Sequence, residues 1–81
     1  MQETVEQIIV HFKTIVAEEM KGQPSEINED DTFHELGLDS ISSVFLMEEV
    51  ENEYNITLSP LCFWDYPTIR LLAVYVQSLT Q

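Results

Sequence analysis

Apolar residues return at every third or fourth position along two stretches of this chain, and that spacing leaves little choice but helix. Val5, Ile8, Ile9, Phe12, Ile15, Val16 and Met20 form one stripe, and Ile69, Leu72, Ala73, Val76 and Leu79 form another. The first stripe predicts a helix over 3–20, closed by Gly22 as the C-cap residue and by Pro24, which cannot continue the hydrogen-bond ladder. The last helix is separated from what precedes it by Pro67 and capped by Thr68. Before it, Ser59-Pro60 joins an N-cap residue to the residue favoured at the first helical position, predicting a short helix through about residue 65. No internal repeat, low-complexity tract or strand alternation competes. Eighty-one residues make a single domain, 1–81, in which four helical pieces, one of them short, enclose one core. The expected fold class is therefore all-α, a four-helix bundle with Phe63, Trp64 and Tyr66 plugging its end.

The middle of the chain carries the chemistry. In Glu35-Leu36-Gly37-Leu38-Asp39-Ser40-Ile41 a glycine turn delivers an Asp-Ser pair to the start of a helix expected over 40–54. Asp and Ser both favour the N-cap, so the tract has a purely structural reading. It also displays a hydroxyl at a helix N-terminus, where free N–H groups and the dipole favour an attached anion. The connection over 21–39 is long for a compact domain, and Ile27, Phe33, Leu36 and Leu38 are its expected anchors. On the helix that follows, Leu46, Val50 and Tyr54 recur every four residues and can face the core with Met47. Ile41, Val44 and Phe45 cluster nearer Ser40, and form either a docking patch or an extension of the core face. Glu48, Glu49, Glu51 and Glu53 are an acidic rim or a solvated face.

Fifteen acids stand against Lys13, Lys21 and Arg70, a formal charge of −12. Such a surface repels nucleic acid and anionic membranes and attracts basic protein partners. Its magnitude exceeds what solubility asks of a small domain. With Cys62 alone there is no internal disulfide, and a reducing, cytoplasmic setting is acceptable. Residues 1–14 lack the unbroken apolar core of a signal peptide, and no stretch approaches the ~20 apolar residues of a membrane span. Met1 fits both a free-standing protein and the start of an excised domain.

Enzyme and metal chemistry fit poorly. Asp39 adjoins Ser40 and is badly placed to orient His34 toward it, and no strand-to-helix elbow supplies oxyanion donors. Cys62 lies in an apolar, aromatic tract where a thiol behaves as a small hydrophobe. A calcium loop starting at Asn28 would put Phe33 where glycine is required and Asp39 where glutamate is, and two histidines with one cysteine make no zinc set. No catalytic residue and no metal ligand is assigned.

With Leu36-Gly37-Leu38-Asp39-Ser40-Ile41 at the centre, an acidic helix behind it and Asp65-Tyr66-Pro67-Thr68-Ile69 opening the last helix, the chain resembles an acyl carrier protein over nearly its whole length. The second tract resembles the carrier domains of polyketide synthases more than free fatty-acid carriers. Peptidyl carriers of nonribosomal synthesis are the near relative, although they more often have Gly-His-Ser or Gly-Gly-Asp-Ser. The resemblance implies that Ser40 receives 4′-phosphopantetheine from coenzyme A through a magnesium-dependent phosphopantetheinyl transferase, with Asp39 contacting the transferase or its metal. The thiol of that group then carries acyl or polyketide intermediates as thioesters to the ketosynthase, acyltransferase and modifying enzymes of a synthase. The carrier itself catalyses nothing and is expected to be a monomer. Ile41, Val44, Phe45, Glu48 and Glu49 are the implied recognition face. Phe45 departs from the polar residue common there. Trp64 replaces the usual Phe or Tyr, which refills the core on the simplest account, and Leu46 stands where carriers that direct β-branching often have tryptophan. An acidic helical interaction module with no prosthetic group is the alternative from another class.

Overall fold

The computed structural model describes residues 3–59 and 61–80. Helix α1 spans Val5–Met20 and starts in a reciprocal cap. The Thr4 hydroxyl accepts from the Gln7 N–H at 3.1 Å, and the Gln7 side chain accepts from the Thr4 N–H at 2.8 Å. Its end differs from expectation. Lys21, with φ 58°, takes the left-handed position assigned to Gly22, and the Gly22 N–H closes onto the Ala17 carbonyl at 2.8 Å. These closing bonds offset the cost of a side chain in that conformation. Ile8, Ile9, Phe12 and Val16 are buried as their spacing requires, whereas Met20 at the helix end stays 40% exposed.

The segment over 21–39 is an ordered loop containing a 3-10 turn, Pro24–Glu26. Phe33 and Leu38 are buried, and Ile27 and Leu36 pack partly against the core. Backbone bonds hold it in place: the Phe33 N–H donates to the Pro67 carbonyl at 3.0 Å, the Arg70 N–H to the Glu29 carbonyl at 3.0 Å, and Thr32 pairs with Thr68 in an antiparallel bridge. The acidic tract weighed above for calcium is engaged in ion pairs. Glu29 lies 2.6 Å from Lys13 and 3.0 Å from Arg70, which also reaches Asp30 at 2.8 Å.

Helix α2 spans Ser40–Tyr54 and ends on Asn55 in the left-handed region. Leu46 and Val50 are buried and Met47 and Tyr54 half-buried, which turns Ile41, Val44 and Phe45 outward. Glu48, Glu49 and Glu53 are exposed, but Glu51 folds back to accept the Leu58 N–H at 2.8 Å and so serves the fold.

Helix α3, Cys62–Asp65, begins later than the Ser59-Pro60 signal suggested. Pro60 lies outside the described residues, and Ser59 caps a preceding turn by accepting the Leu61 N–H at 3.1 Å. Cys62 is buried and burial pushes its thiol pKa up, followed by the charges of Glu51 and Asp65. Phe63 sets its ring edge-on to Phe33 at 4.9 Å, and Tyr66 stacks on Tyr75 at 4.2 Å. Trp64 does not refill the core: it is 83% exposed, because Cys62 and Phe63 already occupy the inward side of this single turn.

Helix α4, Ile69–Thr80, buries Ile69, Leu72, Ala73 and Val76 and packs chiefly against α1, leaving Leu79 40% exposed. The Thr68 hydroxyl accepts the Leu71 N–H at 3.2 Å, as its predicted capping role requires. No helix among the described residues is long and apolar enough to cross a membrane.

Candidate functional site

The loop, the start of α2 and the short α3 converge on Ser40. Gly37 turns the chain with φ 92°, a conformation that glycine adopts without strain, and the Leu38 N–H then donates to the Phe33 carbonyl at 3.0 Å. With Leu38 buried, the next two residues must emerge at the surface. Asp39 caps α2, its carboxylate accepting the Ser42 N–H at 2.8 Å while its carbonyl accepts the Ser43 N–H at 2.9 Å. Hydrogen bonding from Ser42, its backbone N–H first, holds the Asp39 carboxyl below its ordinary pKa. The structural reading of this acid is therefore correct, and it leaves the neighbouring serine free of capping duty.

Ser40 is the first residue of α2 and is exposed. No hydrogen bond among the described residues engages its hydroxyl, in contrast to Ser42, whose hydroxyl donates to Glu19 at 3.2 Å. An uncommitted hydroxyl at the positive end of a 15-residue helix suits a covalently attached phosphodiester. His34 lines the same groove, but no hydrogen bond links it to Ser40, and the Asp39 carboxylate is turned to Ser42. The described residues thus form no nucleophile–base relay.

Ser40 opens onto two adjoining hollows. One, of about 470 Å³, runs toward Phe33, Leu38 and Pro67; the other, of about 270 Å³, runs toward Val44 and Met47. Both share Ser40, Ser43, Phe63 and Trp64. Ile41 is 79% exposed, Val44 49% and Phe45 48%. Phe45 also lies against a separate acidic hollow that it shares with Glu18, Glu19 and Glu49. The residue that sequence reasoning missed is Trp64, since nothing in a four-residue helix tells which side faces the core.

A family model described as the phosphopantetheine attachment site matches residues 11–76. The chain belongs to that family. Its members are non-catalytic carrier domains that hold 4′-phosphopantetheine covalently. The carrier domain is 34% identical over 55 residues to mycoketide-CoA synthase of Mycobacterium tuberculosis, an alignment covering 68% of the chain and 1% of that protein. It is 37% identical over 57 residues to the malformin synthetase mlfA of Aspergillus sclerotiicarbonarius, covering 70% of the chain and 1% of that protein. Among solved structures it resembles a free-standing peptidyl carrier protein from Acinetobacter baumannii, with a TM-score of 0.89, 36% identity and coverage of 95% and 96% of the two chains. It also resembles the HMG-ACPI domain of the CurA module from Lyngbya majuscula, with a TM-score of 0.88, 34% identity and coverage of 98% and 80%. The four-helix carrier fold expected from the sequence is thereby shown.

Proposed function

We propose that Ser40 is the attachment residue, and that residues 1–81 form one monomeric carrier domain that tethers acyl or polyketide intermediates for a cytoplasmic synthase. The observation that carries this reading is the exposed, unpartnered Ser40 hydroxyl at the first position of α2, inside the matched region. The residues present fit the group. Ser40 would hold its phosphate at the helix N-terminus, Asp39 would keep that terminus capped and meet the transferase or its metal, and the adjoining hollow has room for an arm. When bound, the group supplies the thiol on which acyl chains travel as thioesters.

The partners follow from surface chemistry. Ile41, Val44 and Phe45 offer apolar contact flanked by Glu48 and Glu49, a combination suited to a partner with an apolar patch ringed by Lys and Arg. The phosphopantetheinyl transferase, ketosynthase, acyltransferase and modifying enzymes are the expected visitors. Support for polyketide cargo comes from Gly37-Leu38-Asp39-Ser40, from Asp65-Tyr66-Pro67-Thr68 and from several polyketide synthases among the relatives. A peptidyl cargo is the second reading, favoured by the likeness to the peptidyl carrier from Acinetobacter.

The test is intact mass after incubation with coenzyme A, magnesium and a broad-specificity transferase. Addition of one phosphopantetheinyl group to the wild type and none to Ser40→Ala is expected; no addition to folded wild-type protein refutes the reading. Comparing acyl-loading with amino-acid-activating enzymes on the modified protein then separates the two cargo classes.

A further inference from the structure

Two consecutive residues at the end of α1 meet the segment that presents Ser40, one on each side of it. Upstream, a Cβ built on Gly37 would meet the Met20 Cε at 3.0 Å, so the Met20 methyl borders the space that a side chain on Gly37 would take. Downstream, the Ser42 hydroxyl donates to the Glu19 carboxylate at 3.2 Å. Asp39 and Ser40 lie between these two contacts. Neither contact is made for the sake of the core, since Met20 is 40% exposed and Glu19 is exposed as well.

The turn before Ser40 has little else to fix it from outside. Gly37 has a φ of 92° and no side chain to restrict it, and glycine is the residue with most backbone freedom to lose. Its own bonds are local: the Gly37 N–H donates to the His34 carbonyl and the Leu38 N–H to the Phe33 carbonyl, each at 3.0 Å. These shape the turn without joining it to a helix. The last turn of α1 is by contrast closed, with the Gly22 N–H on the Ala17 carbonyl at 2.8 Å and the Lys21 N–H on the Glu18 carbonyl at 3.3 Å. A thioether suits a contact with bare backbone, because methionine adapts to irregular gaps. Of the three carboxylates around the hollow at Phe45, Glu19 is the one that a hydroxyl engages among the described residues.

We propose that Met20 and Glu19 are positioning residues for the loading of Ser40: from the end of α1 they hold Gly37 and Ser42, and so present the hydroxyl between them to the transferase in one orientation. This rests on Ser40 being the attachment residue. Both act through a neighbour and not on the reacting hydroxyl, by raising the fraction of molecules in which the segment is ready to be read. Losing either contact lowers that fraction and weakens apparent binding in proportion, while the chemical step within the bound complex is kept.

The test uses the full chain with coenzyme A, magnesium and a broad-specificity transferase, with the carrier as varied substrate and loading followed by intact mass. Met20→Ala and Glu19→Ala are each expected to raise KM about three- to tenfold with kcat kept, as a fall of the ready fraction to between a third and a tenth requires. Met20→Leu and Glu19→Gln, which keep an apolar tip and an acceptor oxygen, are expected to load close to wild type. Amide exchange over residues 36–42 of the unloaded protein should quicken in the two alanine variants, and Glu19→Ala combined with Ser42→Ala should be no slower than the worse single variant. Leu79→Ala, at a position on α4 equally 40% exposed, is the control for general loss of stability and should load normally. Wild-type kinetics in both alanine variants overturn the proposal and leave the carrier reading intact. Glu19→Gln as slow as Glu19→Ala assigns the carboxylate to direct reading by the transferase and overturns it too, as does equal slowing by Leu79→Ala. Absence of any mass gain on folded wild-type protein overturns the carrier reading itself.

Discussion

The Asp39 carboxylate accepts the backbone N–H of Ser42 at 2.8 Å, so the acid beside the candidate attachment serine also caps the helix on which that serine stands. Hydrogen bonds to the ionised form lower its pKa, and the folded state therefore binds fewer protons than the unfolded one. The stabilisation is complete above the ordinary aspartate value of about 3.9 and is lost as pH falls through the lower folded value. Asp39→Asn keeps a good cap and should retain the neutral-pH melting temperature while losing this acid-limb dependence. Asp39→Ala should melt lower at neutral pH. Loading by the transferase should slow in both variants if the charge itself is read, which melting curves and initial rates on the two proteins resolve.

Gly37 is fixed twice over. Its φ of 92° disfavours any side chain, and a Cβ there would meet the Met20 Cε at 3.0 Å. Gly37→Ala should destabilise the domain by about 1–2 kcal/mol, measured by urea unfolding. Adding Met20→Ala removes the clash but not the backbone strain, so recovery should be partial.

Glu29 ties α1 and α4 to the loop through Lys13 and Arg70, and this pairing lowers its pKa. Glu29→Gln should lower the melting temperature modestly and leave the loop over 21–39 more open to amide exchange. Since the pairs are only partly shielded, the difference between variant and wild type should shrink in high salt.

The two faces of α2 should respond in opposite ways. Leu46→Ala removes a side chain only 2% exposed and should cost about 2–5 kcal/mol. Ile41→Ala, at a position 79% exposed, should change stability by less than about 0.5 kcal/mol and instead reduce binding to partner enzymes.

Burial raises the Cys62 pKa and hides its sulfur. Native unmodified protein should resist maleimide at neutral pH and take one label only on unfolding. After loading, one label should enter the native protein on the prosthetic thiol, and mass spectrometry of the peptide carrying Ser40 should locate it.

What the sequence alone determined was local. Apolar spacing placed α1 and α4, the Asp-Ser pair placed the start of α2 at Ser40, and Phe33 and Leu38 marked the loop as anchored, because each signal lies within a few residues of what it specifies. The four-residue α3 was too short for periodicity to choose a face, and contact between Phe33 and the distant Phe63 put Trp64 outside. Along α2 the spacing points Leu46 and Val50 at the core but leaves the face of Ile41, Val44 and Phe45 open, and only packing against the core turned those three outward. The tie from Glu29 to Arg70 joins residues 41 positions apart, a pairing that appears only once the chain has folded. Spacing decides which side chains can share a face, but which face is buried is a long-range energy, and it brought Trp64 beside Ser40.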